Sequence, residues 1–242
     1  PLLIEKHLDA AGAAIKEVWE RRELRTRLLA PVTSDKLPPD KGAELALRPF
    51  LLRAYRRPPT EDDVQALLGV FRQTLQRQPN WDEAMKTMFK AALVTPKFLF
   101  IEDAPQANAK EPRRLDSFEM ASRLSYLLWS SMPDDELLKL AGEDKLQDDT
   151  VLEAQVRRML VDRKSQAFTK DFAGQWLRFS EVFNSVDPDR RHAPDFNGEL
   201  RQAMYEEIFA FCDQLLRKNG RVLDFLDSDY TFLNERLAKV YE

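Results

Sequence analysis

LDSFEMASRLSYLLWSSMPDDELLKLA, residues 115–141, decides the fold. Its spacing predicts a helix, a sharp turn and a second helix. Asp116 can cap the first helix, and Glu119 three residues on completes a capping box. Each side chain then takes up a backbone N–H that the first turn leaves free. Such a cap contributes about 1 kcal/mol. Phe118, Ala121, Leu124 and Leu128 share one stripe of a 3.6-residue helix, and Leu127 widens it. Ser131 is the expected second cap, and Pro133 suits a first helical turn. Asp134, Asp135 and Glu136 place negative charge at that positive helix end. Leu137, Leu138 and Ala141 are expected to face inward, and Gly142 to end the helix.

Working outward, every strong period is helical. Seven glycines in 242 residues, and no sustained alternation of apolar and polar residues, point to an all-α chain without a significant β-sheet. About ten helices in two packed bundles are expected. The polar, proline-containing stretch 103–114 divides an N-terminal helical module, residues 1–102, from a C-terminal one, residues 115–242.

In the first module, residues 4–29 read as one long charged helix with Ile15, Val18 and Trp19 inward, followed by an extended connector. Residues 42–56 read as a helix with a kink or restart at Pro49. Thr60 caps a helix striped by Val64, Leu67, Leu68, Phe71 and Leu75. Asn80 and Glu83 make a capping box ahead of Trp81, Met85, Met88, Phe89 and Leu93. Phe98 to Ile101 reads as a buried apolar tail.

In the second module, Thr150 and Glu153 form another capping box. Phe168, Phe172, Trp176 and Phe179 follow at spacings of four, four and three, which reads as a core stripe. Leu200, Met204, Ile208, Phe211 and Leu215 mark the clearest amphipathic helix, with Gly220 as its C′ residue. Thr231 is expected to cap a final helix.

Long pieces of this pattern resemble a known family. The segment "ASRLSYLLWSSMPDDELLKLA" resembles a signature of large planctomycete proteins associated with c-type cytochrome modules, whose helical segments are domains of unknown function. The resemblance continues through "LEAQVRRMLVDRKSQAFTKDFAGQWLRF" and "DSDYTFLNERLAKVY". Upstream, "FLLRAYRRPPTEDDVQALLGVF" resembles the module that precedes it in the same proteins. The resemblance implies an extracytoplasmic, multidomain parent protein. Haem c would sit in a neighbouring domain, and the partners would be other domains of the parent or a redox protein. No activity carries over with it. Both ends of the chain read as boundaries of a larger protein.

Composition narrows the chemistry. A net charge of −4 with balanced acids and bases gives no nucleic-acid footprint. No apolar run approaches the roughly 20 residues of a membrane span. Cys212 is the only cysteine, so the chain forms no internal disulfide and carries no CxxCH haem-attachment site or four-ligand zinc set. In its apolar helical setting it reads as a small buried hydrophobe. His7 and His192 are the only histidines, and neither stands in a catalytic frame. No cofactor is expected in the chain itself, and the balance leans away from an enzyme. It does not reach a carboxylate site built from distant residues.

Four places carry candidate chemistry. The loop with Asp187, Asp189, His192 and Asp195 has divalent-cation ligand types. Its neighbours Arg190 and Arg191 oppose a cation, so the alternative is an exposed loop that docks a neighbouring domain. Asp224, Asp227 and Asp229 match no EF-hand spacing, and a helix-capping role for Asp227 or Asp229 is the simpler reading. Arg123, Tyr126, Trp129 and Asp134, with Gln175 and Trp176, mix aromatic and polar groups as a glycan or small-ligand groove does. Their structural reading is core and ion pairs, with Arg123 facing Glu119 at i, i+4. Arg56 and Arg57 sit at a helix C-terminus, where cations suit the macrodipole; anion binding is the alternative.

Overall fold

The computed structural model describes residues 2–34, 36–101, 113–183, 188–189 and 191–241. Helices α1 (Leu2–Glu20), α2 (Arg22–Leu29), α3 (Pro39–Tyr55), α4 (Glu61–Arg77), α5 (Trp81–Leu93) and α6 (Pro96–Leu99) are followed by α7 (Ser117–Trp129), α8 (Asp135–Gly142) and α9 (Asp149–Val161). Then come the short pieces α10 (Gln166–Phe168) and α11 (Gly174–Trp176), joined by a π-helical turn, Thr169–Ala173. Helices α12 (Gly198–Arg217), α13 (Asp224–Asp227) and α14 (Glu235–Tyr241) complete the chain. The fold is all-α, with no strand among the described residues. No helix among them is long and apolar enough to cross a membrane.

Two compact units emerge. One comprises Pro1–Ser122 and Met132–Leu146, the other Arg123–Ser131 and Gln147–Glu242. Of the expected linker, residues 103–112 lie outside the described residues.

The first unit is built on α3, α4 and α5, with α1 against α5. Their stripes interlock around Leu47, Leu51, Phe71, Met85, Met88 and Phe89, none more than 2% exposed. Sequence logic holds through most of it. Thr60 and Asp63 form a complete capping box, while Asn80 makes only half of one, because the Glu83 carboxylate pairs with Lys86. The expected long first helix breaks at Arg21 into α1 and α2, whereas α3 runs unbroken through Pro49. The apolar tail is not wholly inside: Phe98 packs on the core, but Phe100 and Ile101 are exposed.

Two buried charges lock the end of this unit. Arg56, the left-handed residue that ends α3 (φ 59°), is buried. Its guanidinium donates to the carbonyls of Ala54 (3.1 Å), Lys97 (3.0 Å), Phe98 (3.2 Å) and Phe100 (2.6 Å). Three of these belong to α6 and its end, where helical carbonyls lack partners. Asp63, buried at the start of α4, takes Arg57, Lys97 and the Thr60 N–H. Burial alone would raise its pKa, but Lys97, the Thr60 N–H and Arg57 outweigh it and hold the carboxyl at about 2.

The 115–141 stretch folds as a helix, turn and helix. Asp116 and Glu119 cap reciprocally, at 2.8 and 2.9 Å. Glu119 also pairs with Arg113. Leu127 is 57% exposed, and the buried row on α7 includes Ser122 and Ser125. The second cap is Asp134, not Ser131: its carboxylate accepts from the Leu137 N–H at 2.9 Å. Pro133 disfavours helical geometry at the residue before it, so the helix starts one turn later than expected.

Candidate functional site

The second unit holds a recess lined by aromatic side chains. Its floor comes from an unusual inner row. Residues 165–179 carry Ser165, Thr169 and Ala173 inward, all buried, and set the aromatic row beside them facing out. This corrects the expected core stripe. Phe172 and Trp176 are 51% and 57% exposed, and only Phe179 of the four is buried. Small residues win the inner row because they let this segment lie close to α12. There Thr169 Oγ1 donates to Asp213 (3.2 Å), and Arg217 reaches both Asp213 (2.7 Å) and Ser165 Oγ (3.3 Å). The π turn falls at this contact, and such turns cluster at functional sites.

The displaced rings form a ladder. Phe168 and Phe172 stack at 4.9 Å and 9°, Phe172 and Trp176 at 6.0 Å, and Trp176 meets Phe225 edge-on at 5.7 Å. With Cys212, Leu215 and Val222 they line an apolar groove of about 170 Å³. The far wall depends on how α12 ends. Asn219 (φ 51°) is the C′ residue, donating to the Leu216 carbonyl, and Gly220 N–H bonds the Leu215 carbonyl at 2.8 Å. That is a Schellman ending with Gly220 at C″ rather than C′. A Cβ at Gly220 would meet Leu215 Cδ2 at 2.6 Å. Beyond it, Val222 and Leu223 are exposed.

Two lining groups of the groove are ionisable, Cys212 and Arg221. Burial pushes the Cys212 thiol up to about 11, so it stays protonated at neutral pH. Arg221 is paired with Asp224 at 2.6 Å. The groove offers shape and apolar area, not acid–base chemistry.

The six ligand candidates are distributed unevenly. Trp176 lines this groove, and Gln175 faces a neighbouring recess with Lys170, Asp171, Ser180 and Tyr205. Trp129 is buried: its Nε1–H donates to the Met159 carbonyl at 3.0 Å, and Lys164 and Arg158 lie over its ring at 4.6 and 5.5 Å. Tyr126 is half-buried and Arg123 exposed on the same half of α7. Asp134, in the first unit, caps α8. Trp129→Phe is expected to cost about 1–2 kcal/mol by orphaning the Met159 carbonyl, measured as a lower unfolding midpoint. Trp176→Ala is expected to cost about 1 kcal/mol or less, because over half of the side chain faces solvent.

Of the metal candidates, Asp187 and its neighbour Arg190 lie outside the described residues. Asp189 is engaged by Arg191 at 2.8 Å, which holds its carboxyl below the usual range, and His192 Nδ1 stands 3.8 Å away. Asp195 is exposed. Among the described residues no group of three or more His, Cys, Asp or Glu is placed to hold a metal ion. Asp224 pairs with Arg221, as does Asp227 at 3.6 Å.

Sequence reasoning missed Phe225, Val222 and Thr169 as parts of one surface. The available signal was a second four-residue period, Ser165–Thr169–Ala173, beside the aromatic one.

Fold and groove together define an all-helical protein that presents an aromatic, apolar surface. One family model, PSD4, protein of unknown function (DUF1592), matches residues 115–242, more than half of the chain; another, PSD5, protein of unknown function (DUF1595), matches residues 42–103. The chain belongs to the PSD4 family. No curated protein and no solved structure matches it.

Proposed function

We propose that this chain is a non-catalytic helical interaction module of a larger exported protein, which positions a haem c domain or docks a redox partner. The observation that carries it is the solvent-facing ladder of Phe172 and Trp176, continued by exposed Val222. Contiguous exposed apolar surface of this kind marks interaction sites, and tryptophan is the residue type most enriched among binding hot spots. The paired arginine and protonated thiol of the lining support a binding role over a chemical one. The haem context comes from the resemblance to planctomycete cytochrome-associated proteins, which also supplies the extracytoplasmic location.

A second reading, binding or hydrolysis of a glycan or small ligand, draws on the open face of Trp176 next to Gln175. A thermal-shift panel with divalent cations, neutral oligosaccharides and a small soluble c-type cytochrome separates the two. The interaction reading expects a response to the cytochrome alone. A shift with an oligosaccharide and none with the cytochrome would favour the second.

A further inference from the structure

A separate groove of about 440 Å³ lies between α12, α13 and α14, a size typical of small-molecule sites. Phe211, Phe225, Tyr230 and Tyr241 contribute aromatic side chains to its walls. Phe211 and Tyr230 stand 5.6 Å apart at 47°, and Tyr241 lines the same groove. Among them lies Glu207, held from two directions. Thr231 Oγ1 donates to Oε1 at 2.7 Å, and Tyr241 Oη donates to Oε2 at 2.9 Å. Both donors are neutral, so they orient the carboxylate without cancelling its charge. The other acid in the lining, Asp224, is neutralised by Arg221, and no lysine or arginine lines the groove.

We propose that this groove binds a small organic cation bearing an alkylated ammonium group, with Glu207 as counter-ion and Phe211, Tyr230 and Tyr241 as ring faces. Ring faces attract a cation within about 6 Å through their quadrupole. Methylated ammonium suits them better than a strongly hydrated primary ammonium, because its alkyl surface gains from apolar contact while its charge stays diffuse. Thr231 had the look of a helix cap, but Asn234 caps α14, accepting from the Leu237 N–H at 2.9 Å. Thr231 is thereby free to orient Glu207.

The test is calorimetric titration of the chain with choline and with 3,3-dimethylbutan-1-ol, its neutral isostere. Choline is expected to bind saturably and the isostere at least about tenfold more weakly, since only the cation gains the Glu207 and ring terms. Glu207→Gln keeps one acceptor oxygen, sets an amide N–H against the other hydroxyl, which can turn to accept from it, and removes the charge, so choline is expected to lose roughly tenfold while the fold is retained. Tyr230→Phe retains the ring face and is expected to bind like the wild type, whereas Tyr230→Ala is expected to weaken binding several-fold. Absent saturation by choline, equal binding of the isostere, or an unchanged affinity in Glu207→Gln would each overturn the assignment.

Discussion

Arg56→Ala is expected to destabilise the first unit by about 3–5 kcal/mol, the largest effect of any single change considered. Four carbonyls receive hydrogen bonds from this one guanidinium. Those of Lys97 and Phe98 lie in a four-residue helix too short to satisfy its own carbonyls. Removing the donor leaves them in a partly buried setting where water replaces it poorly. The loss extends to packing, because Phe98 is held against the core of α3, α4 and α5 by the same clamp. Arg56→Lys is expected to recover only part of the loss, since a point-like ammonium does not reproduce a planar fork reaching four acceptors. Chemical denaturation monitored by helical circular dichroism measures this. A cost below about 1 kcal/mol would mean the clamp is incidental.

Asp63→Ala is expected to cost about 3 kcal/mol, because it breaks a capping box and two ion pairs at once. The lower end of the range for buried pairs applies, since the side chains of Arg57 and Lys97 are 36% and 41% exposed and rehydrate. A pH signature accompanies it. The carboxyl sits at about 2 in the fold against an ordinary 3.8, so the unfolded chain binds the proton more readily. The resulting stability, about 2 kcal/mol, is fully present above pH 3.8 and lost as pH falls towards 2. Melting curves of wild type and Asp63→Asn are therefore expected to converge over that window. Curves that stay parallel would show that the charge of Asp63 contributes nothing.

Much of the fold is legible because it rests on local chemistry. The Asp116–Glu119 box, the Thr60 cap and the stripe Val64–Leu67–Leu68–Phe71 need no knowledge of distant residues. Caps go astray where two candidates stand close together. Asp148 displaces Thr150, and Asn234 displaces Thr231, because an amide or carboxylate oxygen accepts the N-terminal N–H groups better than a hydroxyl; the Thr231 hydroxyl binds Glu207 instead. On α12 the buried row is Leu200, Ala203, Cys212 and Leu215, with Ile208 at the surface.

The groove was the least legible part. Hydrophobicity assigns Phe168, Phe172 and Trp176 to the interior, but close approach to α12 favours Ser165, Thr169 and Ala173 there. An apolar period alone does not say which of two adjacent rows faces in. The hydrogen bonds of Thr169 and Ser165 to Asp213 and Arg217 on α12, at the π turn, mark the small row as the inner one. Trp129 and Trp176, grouped by composition as possible ligand residues, end in opposite environments for the same reason: one finds a carbonyl for its indole N–H and is buried, the other finds stacked rings and stays out.

The central claim, that the Trp176 surface is a docking face, is tested most directly by titrating the chain with a small soluble c-type cytochrome and following tryptophan fluorescence, which a nearby haem quenches. The wild type is expected to show saturable quenching. Trp176→Ala is expected to bind at least about thirtyfold more weakly, the loss typical of a binding hot spot, with a nearly unchanged melting temperature. Equal cytochrome affinity in the two proteins, or saturation by a neutral oligosaccharide with no response to the cytochrome, would contradict it.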